Sequence, residues 1–275
     1  DITNDGEDGN RYKFSASYMP NEAMSVFFVY SEGYRPGGNN GPNAPQDCSA
    51  DENIGAYTDR YSSDEIENYE IGIKGLAFDR RFQFSSAIYQ IDWTGVQASV
   101  YMPSCGFSYT ANAATAESRG IEFESTTLLT DTLQLQINAS YTDSKMTSDV
   151  PSLGASNGDS MTMVPEYNYY VALDKQVEVF DRDGSVRLDI AGYGEYKSHF
   201  NVKPEDISPA YEVVSLSANL QVNDNSRVGV YIDNLLDEEI ITYKRSRYRG
   251  GWSLGNHYYY YGAERNISVR FDFDF

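Results

Sequence analysis

The sequence is poor in basic residues, cysteine and histidine, and it contains no long hydrophobic run. Its 275 residues include 21 Lys and Arg against 41 Asp and Glu, which gives a formal net charge of -20. Because phosphate binding requires clustered basic residues, this balance argues against nucleic acid as a partner. No stretch approaches the roughly 18 consecutive apolar residues of a membrane-spanning helix, so a helical membrane protein is excluded.

Motifs of catalysis and cofactor binding are also missing from the sequence. It contains no metal-ligand spacing, no nucleophile elbow and no phosphate-binding loop. We therefore expect neither an enzyme nor a bound metal or cofactor. The residues after Asp1 are acidic and do not resemble a signal peptide, so we expect the sequence to start at a mature terminus or at a cut.

Tyrosine is the residue in clear excess. The chain has 24 tyrosines and a hydrophobic fraction of 40%, which is too high for a disordered acidic chain. A low mean hydropathy without a membrane-spanning helix is still compatible with a transmembrane β-barrel, because the lipid-facing residues of a barrel occupy every second position. Tyrosine clusters such as Tyr258–Tyr261 are then expected in the aromatic girdles at the membrane surface, or stacked on a ligand.

Apolar and polar residues alternate with a period of two along much of the chain, most clearly over 133–141, 214–222 and 267–275. This alternation predicts strands with one apolar face and one polar face. Around 82–93 the phase slips, and a β-bulge near Ser85–Ser86 is expected. About eleven strands are predicted, near 11–18, 24–33, 66–77, 81–101, 107–129, 133–146, 164–177, 184–199, 210–222, 227–245 and 258–275.

The connections between these strands alternate between short turns and long polar loops. Outer-membrane barrels have this asymmetry, with short periplasmic turns and longer extracellular loops. The strands of a soluble β-sandwich also alternate between apolar and polar residues, but several of the predicted strands are longer than the usual 3–10 residues of strands in soluble proteins. The polar face is rich in Ser, Asn, Gln, Asp and Glu, which suits a hydrated lumen. The sequence therefore favours an all-β, antiparallel transmembrane barrel.

Several stretches resemble, in order and spacing, the C-terminal part of TonB-dependent outer-membrane receptors. They are YSEGYRPGG (30–38), YEIGIKG (69–75), ESRGIEFE (117–124), VPEYNYYVAL (164–173), DNLLDEE (233–239) and the terminal FDFDF. The resemblance covers nearly the whole chain. Within that family, the chain most resembles the receptors of iron complexes. The resemblance implies a location in the outer membrane of a Gram-negative bacterium.

The resemblance implies a barrel of 22 strands around an N-terminal plug domain. With about eleven strands and no plug, residues 1–275 are expected to form the C-terminal half of such a barrel. An open sheet of this size leaves two unpaired edges in lipid, where each unsatisfied backbone group costs several kcal/mol. The expected partners are therefore the remaining N-terminal strands and the plug, the TonB complex acting through that plug, lipopolysaccharide and outer-membrane lipid, and a small-molecule ligand.

The function that the resemblance implies is TonB-dependent import of a scarce ligand, with a ferric siderophore or other iron complex favoured. Uptake of an oligosaccharide or of cobalamin is an alternative, because aromatic vestibules serve those ligands too. A non-transporting surface-binding protein, such as an adhesin or a lectin-like β protein, is the alternative from another class.

A basic cluster stands near the end of the chain, where Arg245, Arg247 and Arg249 alternate with aromatic residues that include Tyr248 and Trp252. Arginine binds carboxylate and phosphate through two parallel hydrogen bonds. These five residues are candidates for binding an anionic ligand such as a siderophore carboxylate or catecholate. Contact with lipopolysaccharide phosphate, or pairing with nearby glutamates, is the alternative.

Tyr34 and Arg35 follow a predicted strand into a long loop and are candidates for facing the ligand vestibule. The alternative is that the Pro-Gly-Gly after them only sets the turn at the strand's end. Cys48 and Cys105, the only cysteines, fall in two loops on the predicted extracellular side. An even cysteine count in an oxidising compartment predicts a disulfide between them, with two free thiols as the alternative.

Overall fold

The computed structural model describes residues 9–200, 202–249 and 252–274, which form antiparallel strands and short 3-10 helices. No helix in these ranges is long and apolar enough to cross a membrane. The strands are β1 (Lys13–Asn21), β2 (Met24–Arg35), β3 (Gly38–Asn39), β4 (Arg60–Tyr61), β5 (Asp64–Ala77), β6 (Phe82–Met102), β7 (Phe107–Thr130), β8 (Leu133–Met146), β9 (Tyr167–Val179), β10 (Arg182–Tyr193), β11 (Tyr196–Lys197), β12 (Ile207–Ser208), β13 (Tyr211–Asn223), β14 (Ser226–Asp233), β15 (Ile241–Arg249), β16 (Trp252–Tyr261) and β17 (Asn266–Phe273). The 3-10 helices are Gln46–Cys48, Ile54–Ala56, Pro151–Leu153 and Pro204–Asp206.

Eleven strands form one sheet in the order β1-β2-β5-β6-β7-β8-β9-β10-β13-β14-β17, and neighbouring strands are antiparallel. The pairs β3–β4, β11–β12 and β15–β16 form separate two-stranded sheets within the described ranges. The all-β, antiparallel architecture of about eleven strands that the sequence predicts is confirmed. In the described part of the chain, β1 and β17 each pair on one side only, so they are the edges of the sheet.

The cross-strand register separates an apolar face from a polar face. One row of directly opposed residues consists of Ala16, Phe28, Ile71, Ile88, Ile121 and Tyr141. A row on the other side consists of Ser25, Lys74, Ser85, Glu124 and Asn138. We call the apolar side, where Ile88 is 55% exposed, the outer face and the polar side the inner face. An apolar outside around a polar inside is the arrangement of a barrel wall in lipid.

The prediction of a β-bulge near Ser85–Ser86 is wrong. The register of β6 runs without a shift through these residues against both β5 and β7. The irregularity lies between Trp93 and Gln97, where Gly95 adopts a φ of 63°. The phase slip in the sequence has another cause: Phe84 faces outward with Ile88, whereas Ala87, Tyr89, Ile91 and Trp93 face inward.

The two final predicted strands, 227–245 and 258–275, are each broken in the structure. Asn234 and Asp237 have φ values of 52° and 58°, and the Asn234 side chain bonds to the backbone N and O of Glu238. Because this left-handed turn cannot continue a strand, β14 ends at Asp233 and the chain leaves the sheet. It returns as β17 after the separate β15–β16 ribbon.

The long connections all lie at one end of the sheet, which we call the loop end. The β6–β7 hairpin extends furthest at this end, because its strands have 21 and 24 residues. Two clusters of buried apolar residues lie at the loop end. The first contains Val96, Ala114, Ala116, Met146, Val150 and Ala155, and the second contains Cys48, Val100, Met102, Tyr109 and Ala111. The core within the described ranges therefore lies beneath the loops.

Candidate ligand-binding site

The loop over residues 36–63 is fastened to the β6–β7 hairpin. Cys48 and Cys105 form a disulfide, the pairing that the sequence predicts. The Asn40 side chain donates to the backbone oxygen of Thr110 at 2.7 Å and accepts from its backbone N–H at 2.8 Å. Asn112 binds the backbone of Ser62 in the same two ways, at 2.7 and 2.8 Å. Hydrogen bonds from the side-chain amides of Asn40 and Asn112 thus take the place of backbone pairing between the loop and β7, and they hold the loop in one position.

Asp51 is a buried carboxylate at the centre of this attachment. It accepts hydrogen bonds from the Ser104 backbone N–H at 2.9 Å, the Ser104 hydroxyl at 2.6 Å and the Asn53 backbone N–H at 2.9 Å. Burial acts to raise the pKa of Asp51, but the hydrogen bonds from Ser104 and Asn53 outweigh it and hold the pKa below its ordinary value. The charged form is therefore the one that fits this loop.

Acidification is expected to loosen the attachment of this loop. Because the folded-state pKa of Asp51 lies below its unfolded value, the carboxylate stabilises the loop above the unfolded pKa of about 3.9, and this stability is lost as pH falls through the folded pKa. The protection of residues 46–56 against hydrogen exchange in the full-length protein, taken relative to the intrinsic rate at each pH, should fall at low pH. Asp51→Asn should remove this additional pH dependence, and Asp47→Asn, at an exposed neighbour, should retain it. Identical pH profiles in both variants would refute the role of Asp51.

Tyr34 and Arg35 end β2 and point to opposite faces of the sheet. The Tyr34 ring is half-exposed on the outer face, where the guanidinium carbon of Arg11 lies 4.5 Å from the ring centroid. Arg35 lies on the inner face and is paired in the register with Asp64 of β5. Their ligand roles stay predictions; the Arg35 side chain lies on the inner wall, and both residues are among those that line the cavity described below.

Arg35 is held by an ion pair and by an aromatic ring. Its Nε donates to Asp64 at 2.9 Å and its Nη2 donates to the same carboxylate. The Asp64 side chain is 2% exposed and also accepts from the backbone N–H of Gln97 at 3.3 Å. The guanidinium carbon of Arg35 lies 4.9 Å from the ring centroid of Trp93 on β6. Three strands therefore fix one cation at the loop end of the inner face.

Asp64→Asn is expected to lower the free energy of unfolding by about 2 kcal/mol, because a buried acceptor loses its charge beside Arg35. Glu65→Gln is the matched control, since this adjacent carboxylate is 56% exposed and pairs with Arg11 at the surface. The control should cost no more than about 1 kcal/mol. Urea unfolding of the full-length protein in detergent measures both, and equal losses would show that Asp64 contributes nothing through its burial.

A cavity of about 410 Å³ opens beside Arg35 on the inner face. Its apolar wall consists of Ile66, Ile91, Trp93, Ala116, Met161 and Val164. The register brings the wall together, because Ile66 opposes Trp93 and Trp93 opposes Ala116 across successive strands. A volume of this size, an apolar lining and few polar groups are typical of small-molecule sites. The sequence contained a signal for this wall in the phase slip around 82–93, from which a bulge was predicted instead.

The basic cluster lies on the β15–β16 ribbon at the loop end. In the backbone pairing, Arg245 opposes Tyr258, Tyr248 opposes Ser253, and Arg249 opposes Trp252. The side chains of Arg245, Arg247, Tyr248, Arg249 and Trp252 lie outside the part of the chain whose side chains the structure describes. Their role in anion binding therefore stays a prediction.

These features define the wall of an outer-membrane β-barrel with a cavity at the end of its long loops. The family described as "TonB dependent receptor-like, beta-barrel" matches residues 1–235, and the chain belongs to this family. Membership confirms the predicted location in the outer membrane.

Similar proteins agree with this assignment. The chain is 21% identical to the ferrichrome outer membrane transporter/phage receptor of Escherichia coli, over 99% of this chain and 33% of that protein. It is 23% identical to the pesticin receptor of Yersinia enterocolitica, over 84% of this chain and 32% of that protein. The solved ferric yersiniabactin uptake receptor of Yersinia pestis has the same fold, with a TM-score of 0.77 at 20% identity, over 96% of this chain and 37% of that one. The chain thus spans about a third of the length of these relatives.

Proposed function

We propose that this chain forms the C-terminal half of the barrel of a receptor that imports a ferric siderophore across the outer membrane. The family membership and the named functions of the similar proteins support an iron complex as the ligand. They favour it over an oligosaccharide, cobalamin or an adhesin role. Import driven by the TonB complex, acting through a plug domain in the rest of the protein, is part of the same proposal.

The observation that carries the proposal is the cavity at the loop end of the inner face. In a closed barrel this position faces the interior on the side from which an external ligand arrives. Arg35 and Asp64, which flank the loop over 36–63, line the cavity, and the disulfide and the Asn40 and Asn112 side chains attach this loop to the β6–β7 hairpin. A rigid vestibule of this kind binds with little ordering cost, because its walls are already in place.

The sheet edges support the need for further barrel strands. Within the described ranges, β1 and β17 each leave one side without a strand partner. In lipid, backbone groups on such edges require hydrogen-bond partners. We propose that the remaining strands of the full-length protein supply them and close the barrel around the plug.

A binding panel on the full-length receptor in detergent tests the ligand class. Ferric siderophores, cobalamin and neutral oligosaccharides are titrated separately, and binding is followed by quenching of intrinsic fluorescence or by calorimetry. We expect saturable binding of at least one ferric siderophore and none of the other ligands. Saturable binding of cobalamin or an oligosaccharide, with no ferric complex bound, would overturn the proposal.

A further inference from the structure

We propose that Asn234 and Asp237 form a clasp at the base of the β15–β16 ribbon and thereby position the ribbon for ligand capture. Both residues belong to the stretch DNLLDEE (233–239), to which the proposed function gives no role. The inference rests on that proposed function, because the ribbon carries the basic cluster. Asn234 and Asp237 are positioning residues, which act through the ribbon and touch no ligand themselves.

The ribbon needs support from outside itself. Within the described ranges β15 pairs only with β16, and neither strand belongs to the eleven-stranded sheet. A two-stranded antiparallel hairpin is at best marginally stable in water on its own. The contacts that fix the ribbon must therefore come from its base or from the loops beside it.

Asn234 closes the base of the ribbon where the chain leaves the sheet. Its side chain is 2% exposed, accepts from the backbone N–H of Glu238 at 2.9 Å and donates to the Glu238 oxygen at 2.9 Å. The same amide donates to the backbone oxygen of Ala263, on the returning segment, at 3.3 Å. One buried side chain thus joins the outgoing and the returning segments, from a left-handed φ that asparagine tolerates.

Two further contacts join the same two segments. The Asp237 carboxylate accepts from the backbone N–H of Arg265 at 3.3 Å and from its guanidinium at 3.2 Å. The backbone N–H of Gly262 donates to the oxygen of the buried Ile240 at 2.9 Å. A Cβ on Gly262 would lie 2.8 Å from Cγ2 of Ile240, so the segments pack closely against each other. The base of the ribbon is therefore a closed stem.

The loop over 194–210 supports the ribbon from the side. The Tyr196 hydroxyl donates to the backbone oxygen of Thr242, and the Ser198 hydroxyl donates to that of Lys244 at 2.8 Å. Both bonds reach β15. With the stem open, they would hold the ribbon by this one strand and leave its direction free to vary. A ligand would then have to order the ribbon as it binds, which weakens capture.

The test replaces Asn234 with glycine in the full-length receptor. Glycine adopts the left-handed turn without strain, so Asn234→Gly removes the side-chain bonds and keeps the backbone conformation. We expect hydrogen exchange over 241–249 and 252–261 to become about tenfold faster, as the net loss of a hydrogen bond implies. Exchange over 133–146 in the sheet should be unchanged.

Asn223→Gly is the matched control, because the Asn223 side chain also accepts from a backbone N–H, that of Asn225 at 2.9 Å, but in a short turn away from the loop end. This variant should leave exchange of the ribbon unchanged. Asp237→Asn, which keeps an acceptor for the Arg265 N–H and loses the ion pair, should speed exchange of the ribbon by a smaller factor than Asn234→Gly does.

Uptake of radioactive iron separates positioning from folding. The probe is whichever of ferrichrome, ferric citrate and ferric 2,3-dihydroxybenzoate the unmodified receptor imports. In Asn234→Gly the half-saturating concentration should rise about tenfold, while the maximal rate per folded receptor stays within about twofold. A merely structural role would instead lower the amount of folded barrel, seen by its heat-dependent shift on gels, and leave the half-saturating concentration unchanged.

Unchanged exchange of the ribbon, or an unchanged half-saturating concentration, in Asn234→Gly would overturn the clasp and leave siderophore import intact. No uptake from any ferric siderophore by the folded, unmodified receptor would overturn the import function and with it the role in capture. The exchange measurement needs no ligand, so it distinguishes a failure of the clasp from a failure of the import function.

Discussion

Replacing Gly120 with alanine is expected to lower the free energy of unfolding by about 2 kcal/mol. The Tyr89 ring lies flat across Gly120, and its hydroxyl is 2.9 Å from the Thr142 hydroxyl on the next strand. A Cβ at Gly120 would lie 2.5 Å from the ring and 2.6 Å from the backbone oxygen of Tyr141. Such distances are not tolerated, so either the ring or the strand must move.

Gly55→Ala is the matched control for this prediction, because no atom lies within 4 Å of a Cβ at that position. It should be neutral or slightly stabilising, since alanine restricts the unfolded chain. Tyr89→Ala combined with Gly120→Ala should recover part of the loss by removing the ring. Urea unfolding of the full-length protein measures all three, and equal stability of the Gly120 and Gly55 variants would contradict the packing described.

Loss of the disulfide is expected to reduce the opening free energy of the loop over 36–63 by about 2–4 kcal/mol. The bond joins residues 57 positions apart and belongs to the second apolar cluster, which includes Val100 and Tyr109 at the end of the β6–β7 hairpin. The physical reason is the larger conformational freedom of the opened loop once the cross-link is removed.

Hydrogen exchange on a Cys48→Ser, Cys105→Ser double variant checks this prediction. Peptides from residues 36–63 and 97–110 should exchange faster, while peptides from 133–146 in the sheet should be unchanged. Reducing the unmodified protein should reproduce the effect. Unchanged exchange in the loop would mean that the Asn40 and Asn112 contacts alone hold it.

Much of the fold followed from alternation, which is local and strong wherever one face meets lipid and the other meets water. It failed where the inner face is itself apolar: Ile91 and Trp93 break the pattern because they line a cavity. It also failed at Asn234, whose left-handed turn depends on its side chain bonding to Glu238. A period-two pattern carries no information about such contacts.

The site was only partly predictable for a similar reason. Arg35 is visible in the sequence as a cation at the end of a strand, and the disulfide follows from the cysteine count. The partners of Arg35, Asp64 and Trp93, come from other strands, and only the register places them beside it. Burial of Asp64 decides that Arg35 is held within the wall, and this depends on packing that no local pattern specifies.

The central claim, that this chain is the barrel wall of a siderophore importer, is tested most directly by iron uptake in living cells. The full-length protein is produced in a strain that lacks its own siderophore receptors, and accumulation of radioactive iron from ferric siderophores is followed. We predict uptake that requires the protein and disappears when TonB is deleted. Uptake unaffected by TonB deletion, or no uptake from any ferric siderophore by a correctly folded receptor, would contradict the claim.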